Sequence, residues 1–213
     1  MKRAYPLIVA AFALTGCFGP ALEIPEGPET TFDAHEEFPS SDAEPRDEQH
    51  LAAKAQWFYQ ALGSVDTHDI ADDEAFEKMY GPFLQYMSMP QDTDTDTVLT
   101  GLGVTSLQAI SLQPENIIVP PDHVNIEGDT AQVALVIHPD AYSGISPMEY
   151  RAITEQGLRD NEAVLHWIYT PEGQWLLDAD EMIAIGTQFS PLIDELNQSS
   201  NFLAPEDSDD EED

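Results

Sequence analysis

Cysteine occurs once in these 213 residues, at Cys17, so intrachain disulfides and cysteine-built metal sites are excluded. Basic side chains are nearly as scarce: seven Lys plus Arg stand against 41 Asp plus Glu, a formal net charge of −34. Binding a phosphate backbone needs clustered Lys and Arg, which leaves nucleic acid out as a partner. The N-terminal apolar run, Ala4 to Leu14, has 11 residues, well short of the roughly 20 that cross a hydrocarbon core. Motifs of chemistry are missing as well. The chain has no Ser-His-Asp elbow, no Gly-rich phosphate loop and no His-x-x-x-His pair, and its six histidines lie far apart. No cofactor and no metal site is expected from such a sequence.

What is present begins at the N-terminus. Lys2 and Arg3 precede the apolar run and small residues follow it, the layout of an export signal. The run ends Leu14-Thr15-Gly16-Cys17 rather than on an A-x-A-like site. That tetrapeptide resembles the lipobox of bacterial lipoproteins. The resemblance implies that residues 1–16 are a signal peptide, that Cys17 carries a diacylglycerol, and that cleavage makes it the first mature residue. Two acyl chains hold stably where one holds only marginally, so Cys17 is expected to be a membrane anchor. The expected location is extracytoplasmic, on a bacterial membrane. Phe18 follows the cysteine instead of the Asp associated with inner-membrane retention, which favours the outer membrane or cell surface.

Charge divides the remainder. Residues 17–49 read as the lipidated cysteine followed by a disordered tether, because Pro20, Pro25, Pro28, Pro39 and Pro45 interrupt ten acids with no helical or alternating apolar pattern. Residues 204–213, APEDSDDEED, read as a disordered acidic tail. Between them, residues 50–203 form the expected single domain. They still contain 24 acids and only Lys54, Lys78, Arg151 and Arg159 as bases. Such a surface suits a saline habitat or simple solubility.

Within the domain, Leu51, Ala55, Phe58 and Leu62 recur at helical spacing, Asp47 or Glu48 opens the helix and Gly63 supplies its stop. Trp57 and Ala61 widen that stripe. A second helix is expected from about Asp72 to Met87, broken at Gly81-Pro82. PQDTDTDT reads as a loop, and Val98 to Leu112 as a weak helix. Beyond it, β-branched runs flank Glu127-Gly128-Asp129, a hairpin signal, and Pro120-Pro121 confines the preceding strand to an edge. Pro147 is placed to start a helix through Leu158. A second hairpin, AVLHWIYTPEGQWLLDAD, turns at Pro171-Glu172-Gly173. The fold class expected is α+β, with N-terminal helices packed on a curved antiparallel sheet.

The aromatic first helix, the strand IEGDTAQVAL and the hairpin LHWIYTPEGQWLLD together resemble the nuclear transport factor 2-like superfamily over residues 48–185. The resemblance implies a cone-like sheet around three helices, often with a pocket inside. Its members include isomerases, dehydratases, non-catalytic envelope lipoproteins and interaction modules, so fold analogy does not choose among functions.

Enzymes of that superfamily place His, Asp or Tyr inside the cone. If residues 171–173 form a three-residue loop, Thr170 pairs with Gln174 and His166 lands opposite Asp178, where a histidine beside a carboxylate can act as a general base; a four-residue loop puts the two on opposite faces. His138, near Asp140 and Tyr142, is a third candidate. The alternative is a plain surface pair on an exposed sheet. DTDTDT offers alternating oxygen ligands, but an EF-hand loop counted from Asp92 meets Thr97 where Gly belongs and Gly103 where Glu belongs. A solvated acidic loop fits better. Three functions are therefore carried forward: a non-catalytic domain binding an apolar small ligand or an envelope protein, an acid–base enzyme using His166 with Asp178, and a cation-buffering surface protein.

Overall fold

A computed structural model describes residues 26–39, 41, 43–67, 73–138 and 162–189; Cys17, the expected helix from Pro147 and the acidic tail lie outside them. The fold is mixed α+β. Helix α1 spans Glu48–Gly63 and begins where an N-cap should: the Asp47 carboxylate accepts from His50 N at 2.7 Å. Helix α2, Asp73–Tyr80, gives way at Gly81-Pro82 to a 3₁₀ turn over Gly81–Tyr86 and then to the short strand β1, Met87–Ser88. The break falls at the expected dipeptide, but Met87 belongs to the sheet and not to a helical stripe.

Helix α3, Thr95–Ser111, is longer than the weak helix expected from Val98. Its start lies inside the DTDTDT run, where Asp94 caps it by accepting from Asp96 N and from Thr97 Oγ1. Strands β2 (Ile117–Ile118), β3 (Val124–Glu127), β4 (Thr130–Ile137), β5 (Glu162–Tyr169) and β6 (Trp175–Asp178) follow. A last helix, α4, covers 180–189 and had no counterpart among the expectations.

The sheet runs β1-β6-β5-β4-β2, and β3 also pairs with β4. Every pairing is antiparallel except β1 with β6. Both hairpins form at the predicted turns. Gly128 at φ 66° and Gly173 at φ 90° occupy the left-handed region that L side chains rarely adopt. Pro120 and Pro121 follow β2, which holds the edge position expected of it.

One face of β5 and β6 carries Leu165, Trp167, Trp175 and Leu177, all fully or almost fully buried, and α1 lies over them with Phe58 against Trp167. The space between helices and sheet is filled by these side chains. Helix α3 packs on α1, where Ser106 Oγ donates to Leu62 O at 2.7 Å. Gly63 is not a left-handed cap but a point of close approach: a Cβ there would lie 2.7 Å from Pro114 Cγ. Helix α4 crosses α3 at two further glycines, since a Cβ on Gly101 would run into the Met182 carbonyl and one on Gly186 into that of Thr97.

The segment expected to be a disordered tether is the largest correction. Its described residues, 26–39, 41 and 43–47, fold along the domain as a strap. Phe38 is buried against Phe32, Trp57 and His50. Glu44 N donates to Gly173 O at 2.7 Å, and Trp175 Nε1 donates to Pro45 O at 3.1 Å. Prolines and acids hid this because the apolar anchors are isolated and their partners lie far along the chain.

Candidate functional site

The strap is fastened at a buried charge cluster. Lys54, on α1, donates from Nζ to Glu44 Oε1 and to Trp175 O, both at 2.6 Å, while Glu44 Oε2 accepts from Trp175 N at 3.1 Å. His50 Nε2 lies 3.5 Å from the same Oε2, long for a hydrogen bond. Burial acts to raise the Glu44 pKa, but His50, the hydrogen bond and charge of Lys54, and the Trp175 N–H outweigh it and hold the carboxyl below its ordinary range. Lys54 is 2 % exposed and each of its acceptors is an element of the fold. This geometry makes a clasp, with no room for a substrate at the amine.

Above the clasp the strap walls a cleft. Asp33 to Glu36 form a turn, with Glu36 N donating to Asp33 O and His35 N to Asp33 Oδ1. Trp57 Nε1 reaches both Asp33 O (3.2 Å) and Glu36 O (3.0 Å), which fixes the turn against α1. The opposite wall is the 3₁₀ turn, contributing Phe83 and Tyr86. The cleft between them is open to solvent and holds about 280 Å³. Its floor and walls are Trp57, Ala61, Phe83 and Tyr86, and its rim carries His35, Glu36 and Glu37. Trp57 and Tyr86 meet edge to face at 4.9 Å. Among the described residues, no lysine or arginine lines the space. Burial pushes the Tyr86 hydroxyl above its usual range; the Phe38 backbone opposes this, and the charges of Glu37 and Glu44 add to it.

The residues singled out from sequence lie elsewhere. The β5–β6 register pairs Trp167 with Leu177 and Tyr169 with Trp175, and Thr170 N donates to Gln174 O. One residue further, His166 stands opposite Asp178 as expected. However, the pair sits on the outer face of the sheet with the exposed Val164, on the side away from the packed interior. His166 is exposed, and Asp178 Oδ1 accepts from Asp180 N, at the start of α4. No hydrogen bond or ion pair joins the two among the described residues. His138 follows β4 and donates its N–H to Asn116 O. Gln132, which pairs with His166, is six residues earlier, so the two histidines are about 20 Å apart along the strand at roughly 3.4 Å per residue. Asp140 and Tyr142 lie outside the described residues. His138 does not join the pair.

A second open depression of about 460 Å³ lies between residues 90–94 and α4, with Asp92 on its wall and Asp94 engaged in capping α3. Among the described residues, no group of three or more His, Cys, Asp or Glu is placed to hold a metal ion. A different acid is perturbed: burial, with the charge of Asp178 adding, pushes Glu181 up to about 7. Its charge also adds to the burial that raises the Tyr59 hydroxyl.

Sequence reading missed the cleft because two of its three walls were assigned other roles. Trp57 is a core residue, as its place on the α1 stripe implies, and also borders the cleft, while residues 33–37 read as tether. Phe32, Phe38, Trp57 and Tyr86 meet only in the fold, so no local signal marks them. No helix among the described residues is long and apolar enough to cross a membrane. No family model, curated protein or solved structure matches the chain.

Proposed function

We propose that this is a lipid-anchored, extracytoplasmic binding protein of the bacterial envelope, held by Cys17 and using the strap cleft to bind a small, largely apolar ligand without catalysis. The observation that carries the binding reading is the cleft itself. Three separate stretches of chain converge on it, and aromatic side chains form its walls. Concave, aromatic-lined space with a few polar groups at its rim is the usual form of a small-molecule site. The acid–base alternative finds no such support, since His166 is exposed on a sheet face and the Asp178 carboxylate is engaged at a helix start.

The anchor reading rests on the sequence around Cys17, as does preference for the outer membrane or surface. The finer fold reading, a cone-like sheet of the nuclear transport factor 2-like kind, is supported by α1 laid across one sheet face and by the two tight antiparallel hairpins that follow α3.

Two measurements test the parts separately. Intact-mass analysis of protein extracted from its native membrane is expected to give a chain beginning at Cys17 with added acyl mass; a chain retaining residues 1–16 without lipid overturns the anchor. For the cleft, a fragment library is screened by ligand-observed NMR against the wild-type domain and against Gln85→Trp, which places bulk on an exposed lining position. Fragments that bind the wild type and lose at least tenfold in affinity on the variant are expected. Hits indifferent to the substitution, or none, overturn a ligand site there.

A further inference from the structure

The cleft joins two features that rarely meet on one surface. Its lining includes the rings of Trp57, Phe83 and Tyr86, its rim carries the carboxylates of Glu36 and Glu37, and no lysine or arginine among the described residues lines it. Aromatic rings attract a cation lying within about 6 Å of their centroids. The protein already uses this property from the buried side: Lys54 Nζ lies 5.3 Å from the Phe38 centroid and 5.8 Å from that of Tyr86. Among the described residues, no lysine or arginine lines the cleft from the outer side. Charge points the same way. An anionic ligand would enter past Glu36 and Glu37 on a chain of net charge −34, where like charges oppose its approach, whereas a cation is drawn in.

We infer that the cleft takes a small organic cation, of the quaternary or tertiary ammonium class, with its alkyl groups against Trp57, Phe83 and Tyr86 and its charge balanced by Glu36 and Glu37. The inference rests on the binding role given to the cleft above and adds the ligand's chemical class. Volume sets its size. About 280 Å³ is just below the roughly 300–1,000 Å³ of ligand pockets, so a headgroup-sized cation fits and a long-chain amphiphile does not. A quaternary ammonium suits the walls better than a primary amine does. It has no N–H donors to satisfy, and recognition of such groups by aromatic cages is the established use of the cation–π interaction.

The test follows the three indole N–H signals of ¹⁵N-labelled protein. Trp57 lines the cleft and Trp167 and Trp175 do not, which makes the Trp57 signal the reporter for the cleft. Choline is titrated against its neutral isostere 3,3-dimethylbutan-1-ol, with sodium chloride at matched ionic strength. The expected result is a saturable shift of the Trp57 signal with choline, at least tenfold weaker with the isostere and absent with sodium chloride. Glu37→Gln, at an exposed position that threatens no packing, is expected to weaken choline about threefold, and Tyr86→Leu at least tenfold. Equal binding of choline and the isostere overturns the cation class while leaving the cleft as an apolar site. Silence of Trp57 toward both probes overturns the cation class, and added silence toward benzyl alcohol removes the cleft as a ligand site altogether. A choline shift that sodium chloride reproduces is surface screening and also overturns the inference.

Discussion

At the scale of single residues the decisive pair is Lys54 with Glu44. An unpaired charge in such surroundings is expensive, and removing one partner of a buried pair typically costs about 3–5 kcal/mol because the other is left stranded. Lys54→Met is therefore expected to lose stability in that range in urea denaturation. Lys54→Met with Glu44→Gln should lose less than the single change, since the stranded charge goes and Trp175 N keeps an acceptor. A single variant within about 0.5 kcal/mol of the wild type, the size of an ordinary surface substitution, shows the clasp to be dispensable. None of this was legible in the sequence. Lys54 stands in a helix whose spacing marks Leu51, Ala55, Phe58 and Leu62 as the core face, and a lysine between them reads as solvent-facing. It is buried because the strap covers the side of α1 that the sheet and α3 leave open, and that cover comes from residues that read as tether.

The elements were better foreseen where their signals were local. Asp47 opened α1, Gly81-Pro82 broke the second helix, and both hairpins turned at the expected glycines. Their causes lie within a few residues of chain. Where the cause is a tertiary approach, no local signal marks it, as for α4 and for the parallel pairing of β1 with β6. Gly101 and Gly186 are the plainest case. Each reads as a weak point in a helix, costing roughly 1 kcal/mol relative to Ala. In the fold each lets one helix backbone rest on the other. Gly186→Ala should accordingly destabilise the protein by about 3 kcal/mol or more, the upper end of overpacking costs, rather than gain helix propensity. Thermal unfolding of the variant decides it: a raised melting temperature would mean that α4 does not cross α3 at this contact.

For the whole molecule the consequence of these placements is a dependence of stability on pH. The Glu44 carboxyl, held below its ordinary range, contributes stability that is complete above the unfolded value of about 4.3 and is lost as pH falls through its folded value. Glu181 has the opposite sign. Its pKa is raised to about 7, so its contribution is complete below about 4.3 and is lost as pH rises through 7. The two together set the optimum on the acid side of neutrality. Melting temperature is expected to fall between pH 5 and pH 8 in the wild type and to fall less in Glu181→Gln, while the two remain alike near pH 4. Parallel profiles from pH 5 to pH 8 would show that Glu181 ionises as freely in the fold as outside it.

The strap has a mechanical consequence too. The chain that walls the cleft is the chain that continues toward Cys17, so a pull from that side arrives at residues 33–37 before it arrives at Glu44, and at Glu44 before α1. A load applied from that side would reach the cleft wall before the buried contacts of Glu44 with Lys54 and Trp175. A ligand seated in the cleft would bridge the strap to the 3₁₀ turn and oppose their separation, so that tension and occupancy act against each other across the same few residues.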